Sequence, residues 1–530
     1  MREAQSLSAK DKSQTMKDQG FQRIAVIDLG SNTNRLIIMN TRLGYAYRLE
    51  DEVREVVRLR KGMTEDGLSE RAMARGLSTL RLFHNFCQQT QVHQILAVAT
   101  SAVREAANGP DFLARVKQEI GLDIQVLDGE REAYYDTLGA LNEVPLTEGV
   151  VLDIGGGSIQ LSDVQKRDFV QGSSLKLGAL ALTERFVSSD PLNTTETRKI
   201  RNEIEDQLDT IHWLPGKTDQ PLVGLGGTIR NLARMEAKRQ DYPLNTLHGF
   251  TLSRSSLDES IRLFQELDQP DRENLPGLNS DRADIILPGA MVLAAVMDRL
   301  NVDQVRISVN GVREGVFLDL FWSHLDPPII PSVRRFSVLN LARNYQYEQD
   351  HANHVRFLAG RLFEQLGPLH GFGKPEREIL YAAALLHDLG RIIGYASHHK
   401  HTQTLLEHNG LAGYTPRETA LIALLTRYHR KGTPDRSGYT LLLDQDDHII
   451  LTKLSAILRL SECLERGRSA NVNDAITTWD DGQLRITLIA NQYPAVELWQ
   501  AKRNAAPLME TAFGREVALD SFSPPQKELP

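Results

Sequence analysis

Only two cysteines occur in 530 residues, and Cys87 and Cys463 lie far apart in the sequence. That argues against a disulfide framework and fits a reducing compartment. No apolar run is long enough to span a bilayer. The opening stretch MREAQSLSAKDKSQTMKDQG is polar and lacks the apolar core of a signal peptide. A cytoplasmic protein with no membrane partner is therefore expected. Positive charge is not in excess: 61 Lys and Arg stand against 69 Asp and Glu, a net charge of −8. No whole-surface attraction to nucleic acid or anionic membrane is expected, and an anionic ligand must be held by a local site. What is present is ordinary for a globular chain, 41% apolar and 25% charged. The length is too great for one core, so three or four domains are expected.

Strand and helix patterns alternate in the first part of the chain. FQRIAVIDLG reads as a buried strand and RLIIMN as its hairpin partner. SERAMARGLSTLRLFHNFCQQT has apolar residues at helical spacing, with Ser69 placed to cap it. PDFLARVKQEIG is a helix closed by Gly121. QILAVAT and IQVLD are strands, and EREAYYDTLGAL is a helix. Such alternation argues for an α/β fold. A second α/β segment begins near residue 149, and the proline-rich HLDPPIIPSV (324–333) reads as a linker. The pattern beyond is helical to about residue 470. It is followed by DGQLRITLIA, AVELWQAKRNAAPLMETAFG and REVAL, a strand–helix–strand unit.

One internal repeat organises the whole. IDLGSNTNRL (27–36) aligns with LDIGGGSIQL (152–161), each with an aspartate two residues before a glycine loop. Two α/β halves opening on the same hairpin imply a duplicated fold with a cleft between the halves. Glycine loops let backbone N–H groups converge on phosphate oxygens. Ser31, Asn32, Thr33 and Ser158 add side-chain donors. Asp28 and Asp153 end their strands where Mg²⁺ sits between carboxylate and phosphate. GLGGTIRNL (224–232) offers a third glycine turn, at a helix start suited to an anion. Close strand–helix packing explains that turn equally well. Arg104, in ATSAVREAANG, reads on its residues alone as a salt-bridge partner of Glu105 or another neighbour. Arg313 and Glu314, in VNGVREG, are compatible with structural roles. In GEREAYYD, Glu130 and Glu132 both sit at a helix start, and the pattern does not choose between them as a base facing the cleft.

Taken together and in order, IDLGSNTNRL, ATSAVREAANGPDFL, GEREA, LDIGGGSIQL, LGALALTERF, GLGGTIRNLARM, LHGFTL and VNGVREG resemble the exopolyphosphatase/guanosine pentaphosphate phosphatase (Ppx/GppA) family over residues 22–320. The resemblance implies a duplicated actin-like (acetate kinase–Hsp70–actin, ribonuclease H-like) α/β fold. It also implies removal of terminal phosphate from polyphosphate, or of the 5′ γ-phosphate from pppGpp, with Mg²⁺. Carried over, it makes Glu132 the base that aligns water. It makes Asp153, with Asp28, metal-associated, and Gly155, Gly156, Gly157 and Ser158 a phosphate loop. Ser31, Asn32, Arg35 and Arg104, and the turn Gly226, Gly227 and Thr228, join the phosphate site. Gln160 departs from the family's DIGGGSxE pattern, in which the last glutamate helps organise metal and water. The consequences left open are weaker metal binding, a different substrate, or slow turnover in a (p)ppGpp or polyphosphate sensor.

The helical part resembles an HD-type metal domain, H…HD…D. His351, His387 and Asp388 match its first three ligand positions, and Glu462 stands where aspartate is usual. In the longer Ppx/GppA relatives this region is often a degenerate scaffold, and that reading is preferred here. SHHKHT and RYHRK then line a polyanion path. The expected organisation is a disordered lead (1–20), actin-like domains at 21–148 and 149–325, a helical HD-like domain at 333–470, a small α+β unit at 471–520 and a loose tail (521–530). The expected activity is exopolyphosphatase, with pppGpp hydrolysis or sensing as alternatives. A homodimer with no specific nucleic-acid partner is expected.

Overall fold

The computed structural model describes residues 20–522, so all but the last residue of the expected lead and most of the expected tail lie outside the described residues. The chain divides into two compact units, Leu247–Val333 with the residues up to Asp241, and Arg334 onward with Tyr242–Thr246.

The first unit contains two sheets. One runs β3-β2-β1-β4-β5. Its strands are β1 (Gln22–Leu29), β2 (Asn34–Arg42), β3 (Ala46–Glu55), β4 (Gln94–Ala99) and β5 (Gln125–Val126). The other runs β10-β11-β9-β6-β7-β8. It is built from β6 (Gly149–Ile154), β7 (Ile159–Gln165), β8 (Asp168–Leu175), β9 (Leu222–Leu225), β10 (Thr251–Ser253) and β11 (Gln304–Ile307). Each sheet opens with an antiparallel hairpin whose first strand then pairs in parallel with a later strand, β1 with β4 and β6 with β9. The repeat seen in the sequence is thus a repeat of topology, a duplicated α/β fold. The central strand β1 buries four consecutive side chains, Ile24 to Ile27, because helices and sheet cover both of its faces. Leu77, Leu80 and Phe83 of the helix Glu70–Gln89 fill the first core with Ala25, Ile27 and Leu29. Ser69 caps that helix by accepting from the Ala72 N–H, and Gly121 closes the helix Gly109–Ile120 at a φ of 82°.

The second unit is mainly helical, with helices Val333–Asn344, Gln349–Gln365, Lys374–Leu386, His398–Asn409, Pro416–Tyr428 and Gln445–Leu464. A three-stranded sheet, β12 (Val472–Trp479), β13 (Gln483–Ala490) and β14 (Glu516–Ser521), shares one apolar cluster with them. Two details differ from the sequence reading. β12 was not expected, because a bulge between Val472 and Asp474 shifts its alternation. The long helix expected over AVELWQAKRNAAPLMETAFG is divided into Ala495–Gln500, a wide turn at Ala501–Ala505 and Ala506–Phe513. Pro507 lacks the N–H that an unbroken α-helix needs there. Among the described residues no helix is long and apolar enough to cross a membrane.

Candidate functional site

The two glycine hairpins meet. Gly156 packs on Asn32, and a Cβ at Gly157 would lie 2.5 Å from the Ser31 and Ser101 hydroxyls. Loop carbonyls are consumed by anchoring. Asn32 and Ser31 accept from the N–H groups of Arg58 and Arg60, and Gly155 and Gly156 accept from Ala179 and Ala181. The N–H groups of Ser31, Asn32, Gly156 and Gly157 donate to no protein acceptor among the described residues. Both loops therefore present donors, the polarity that an oxyanion requires. The helix Gly226–Arg239 begins at the same place with no side-chain cap, leaving its first-turn N–H groups for a ligand. Gly226 has a φ of +86°, and a Cβ there would come within 2.2 Å of the Asp153 carboxylate.

These parts enclose a cavity of about 110 Å³. Asp28, Ser31, Asn32, Thr33, Arg35, Glu132, Asp153, Gly155, Gly156, Ser158, Gly226 and Gly227 all line it. Three residues expected at the site do not line it. Gly157 faces the packed loops, and Thr228 is wholly buried beside Gly289. Arg104 donates from Nη1 to Glu132 Oε2 at 2.8 Å and to the Leu127 carbonyl at 2.7 Å. Its partner is thus Glu132. Glu105 instead pairs with Arg60. Glu130 is exposed, whereas Glu132 is buried in the cavity wall, so the fold separates the two candidates.

Arginine and aspartate residues that the sequence reading had not placed at the site complete the wall. Arg230, Arg282 and Arg313 join Arg35. Burial, and then the repulsion of the other three, holds Arg35 down to about 9. One nitrogen of Arg282, Nη1, is buried without a partner among the described residues. Such a cationic cluster is relieved by phosphate oxygens. Asp136 follows Glu132 by four residues on the helix Gly129–Leu141, so both face the cavity. That spacing was a usable signal. No comparable signal marked Arg282, which approaches through the fold.

The carboxylates are strained by their surroundings. Burial pushes Asp28 up to about 6, partly offset by Arg313 and Arg35. Glu132 rises to about 7, again through burial, with Arg104 opposing and the charges of Asp153 and Asp28 adding to the rise. Asp136 and Asp153 are raised by burial, Asp136 also by its neighbours Asp153, Glu132 and Asp28. Both Asp136 oxygens and Oδ1 of Asp153 are buried without hydrogen-bond donors among the described residues. These hard, unsatisfied oxygens fit a divalent cation. No three of them close to within 4.8 Å among the described residues. That spacing suits Mg²⁺, which takes one or two carboxylates and completes its shell with water and phosphate.

Gln160 lies opposite Asp153 in the β6–β7 ladder, as Arg35 lies opposite Asp28 in β1–β2. Its Nε2 donates to the hydroxyls of Ser158 at 2.9 Å and Ser174 at 3.2 Å, which braces the second glycine loop. In the second unit His351, His387 and Asp388 come together, joined by Glu462.

Residues 46–324 match the model of the Ppx/GppA phosphatase family. The chain belongs to the Ppx/GppA phosphatase family. Residues 333–502 match its domain III. Among solved structures, the chain is similar to an exopolyphosphatase from Cytophaga hutchinsonii, at 26% identity and a TM-score of 0.53, covering 57% of this chain and 98% of that one. It is similar to an exopolyphosphatase-like protein at 23% identity and a TM-score of 0.51, covering 57% of this chain and 100% of that one. An Aquifex aeolicus Ppx/GppA enzyme is 30% identical with a TM-score of 0.48, over 56% of this chain and 99% of its own. As a Ppx/GppA member, the chain is a phosphoanhydride hydrolase.

Proposed function

We propose that the chain is an exopolyphosphatase, cutting the terminal phosphate from inorganic polyphosphate. The observation that carries this reading is the wall of the cavity. Four arginines and two donor-presenting loops surround a buried glutamate held near neutrality by burial. No aromatic ring lines it among the described residues, so its chemistry recognises phosphate and offers no stacking surface for a guanine. The similar Cytophaga protein is itself an exopolyphosphatase.

In this mechanism the terminal phosphoryl group lies against the loop N–H groups and the guanidinium groups of Arg35, Arg230 and Arg282. Glu132, steered by Arg104, accepts a proton from water as the water oxygen bonds to phosphorus. The bridging P–O bond breaks, and the shortened chain leaves with the charge on its new terminal oxygen. Asp28, Asp136 and Asp153 would hold Mg²⁺, which supplies positive charge against the phosphate oxygens.

Phosphate release from long polyphosphate and from pppGpp, measured in parallel with Mg²⁺, tests this. Faster release from polyphosphate, abolished in Glu132→Gln, is the expected result. Preference for pppGpp would move the assignment to a guanosine pentaphosphate phosphohydrolase. One observation favours a slower, sensing role. Gln160 is an amide engaged with two serines where the family carries a carboxylate. Tight binding without release would establish that role. The expected homodimer is checked by sedimentation of the intact chain.

A further inference from the structure

Five helix ends of the second unit converge. His351 lies in the first turn of Gln349–Gln365, His387 and Asp388 follow Lys374–Leu386, and His398 opens His398–Asn409. His429 ends Pro416–Tyr428, and Glu462 lies in the last turn of Gln445–Leu464. The four histidines are buried. We infer that these six side chains form a two-metal centre for transition-metal ions, with Asp388 bridging. It is independent of the phosphatase cavity in the first unit.

Three of the histidines have their tautomer fixed. Nδ1–H of His387 donates to the Ala384 carbonyl at 2.8 Å, that of His398 to Tyr395 at 3.0 Å, and that of His429 to Thr426 at 2.6 Å. In the neutral ring each Nε2 is then a bare lone pair. This is the outer hydrogen bond that metal-binding imidazoles make. The bare nitrogens of His398 and His429 face each other, and the bare Nε2 of His387 faces Nε2 of His351, whose Nδ1 has no partner among the described residues. His398 and His429 Nε2 are 3.2 Å apart, and His351 and His387 Nε2 are 3.3 Å apart. The two lone pairs of His398 and His429 repel at that distance. Two nitrogens on one ion at about 2.1 Å lie about 3.0–3.4 Å apart for right-angle to tetrahedral geometry.

The carboxylates divide between the two pairs. Asp388 Oδ1 is 3.1 Å from His398 Nε2 and 3.9 Å from His429 Nε2. Its Oδ2 is 3.9 Å from His351 Nε2. Glu462 Oε2 is 3.1 Å from His351 Nε2 and 3.3 Å from His387 Nε2, yet makes no properly directed hydrogen bond among the described residues. Donor atoms of His351, His387 and Asp388 all fall within 4.8 Å, as do those of Asp388, His398 and His429. Imidazole with carboxylate selects Mn²⁺, Fe²⁺, Co²⁺ or Zn²⁺ over Mg²⁺. Arg468 fixes the bridging carboxylate with a 2.6 Å bond to Oδ2. His351 and Asp388 also line a cavity of about 280 Å³, which gives an ion and an exchangeable ligand a way in.

The test strips the intact chain with chelator, dialyses it against Co²⁺ under excess Mg²⁺, and counts retained cobalt by mass spectrometry. Two equivalents are expected for wild type, one for the His398→Gln/His429→Gln double variant, and none for Asp388→Asn. Fewer than two in wild type, or an unchanged count in Asp388→Asn, overturns the inference. Circular dichroism confirms the variants' folding. Wild type alone supplies a second reading, since Mn²⁺ across a shared carboxylate gives an exchange-coupled multiline paramagnetic resonance spectrum. An isolated six-line spectrum from the loaded protein contradicts the bridge.

Discussion

Replacing Arg104 with methionine removes the guanidinium hydrogen-bonded to Glu132, and its effect follows from the geometry. The bond is 2.8 Å long, and the Arg104 side chain is 21% exposed. An opposite charge centred about 4 Å away is worth about 4 kcal/mol at an effective dielectric of about 20. That corresponds to about 3 pKa units at about 1.4 kcal/mol each. Water reaching the arginine reduces it to roughly half, so Glu132 moves from about 7 to about 8.5. At pH 7.5 the ionised fraction then falls from about three quarters to about one tenth. kcat/KM for phosphate release, which reports the free enzyme, drops roughly eightfold at that pH and recovers to within about twofold at pH 9.5. The assay is a pH profile of kcat/KM from 5.5 to 10 with both proteins. A uniform loss with an unmoved midpoint, or a midpoint displaced to acid, refutes the assignment of Arg104 as the group that tunes the base.

Other outcomes follow from the same cavity. Asp28 has a folded pKa of about 6, above its ordinary 3.8, so its burial costs nothing below 3.8 and progressively more as pH rises to 6. Asp28→Asn, unfolded with denaturant in EDTA, should be more stable than wild type at pH 8 by up to about 3 kcal/mol, with the gain vanishing near pH 4. A variant less stable at pH 8 contradicts this. Gly226→Ala places a Cβ against Asp153 at a left-handed backbone position, and should lose phosphate release while lowering the thermal midpoint. Wild-type activity in that variant would show the turn is not part of the site. Gln160→Glu adds a carboxylate opposite Asp153, and should lower the Mg²⁺ concentration that half-saturates activity. An unchanged Mg²⁺ titration would show that this position does not act on the metal.

The parts legible in the sequence were those whose chemistry is local. The hairpins around Gly30 and Gly155 announced themselves by turn residues beside an aspartate, and both the duplicated topology and the meeting of the loops followed from that repeat. β12 and the division of the last long helix were hidden by a bulge and by Pro507. Arg230 and Arg282 were not legible as site residues, because only the closed fold brings them to Asp153. The pairs Arg54–Asp281 and Arg58–Asp284, which link β3 and the residues just after it to the segment preceding the helix Ile286–Leu300, are likewise a product of the fold. The histidines of the second unit were read as a degenerate metal domain and a basic path. Sequence shows neither which ring nitrogens are tied to carbonyls nor that the Nε2 atoms face each other in two pairs.

The central claim is that Glu132 removes the proton from water attacking terminal phosphate. Phosphate release from polyphosphate with Mg²⁺ by wild type and Glu132→Gln tests it most directly. The account predicts a loss of about 10²–10⁴-fold in the variant, with polyphosphate binding retained. Full activity in Glu132→Gln would contradict it.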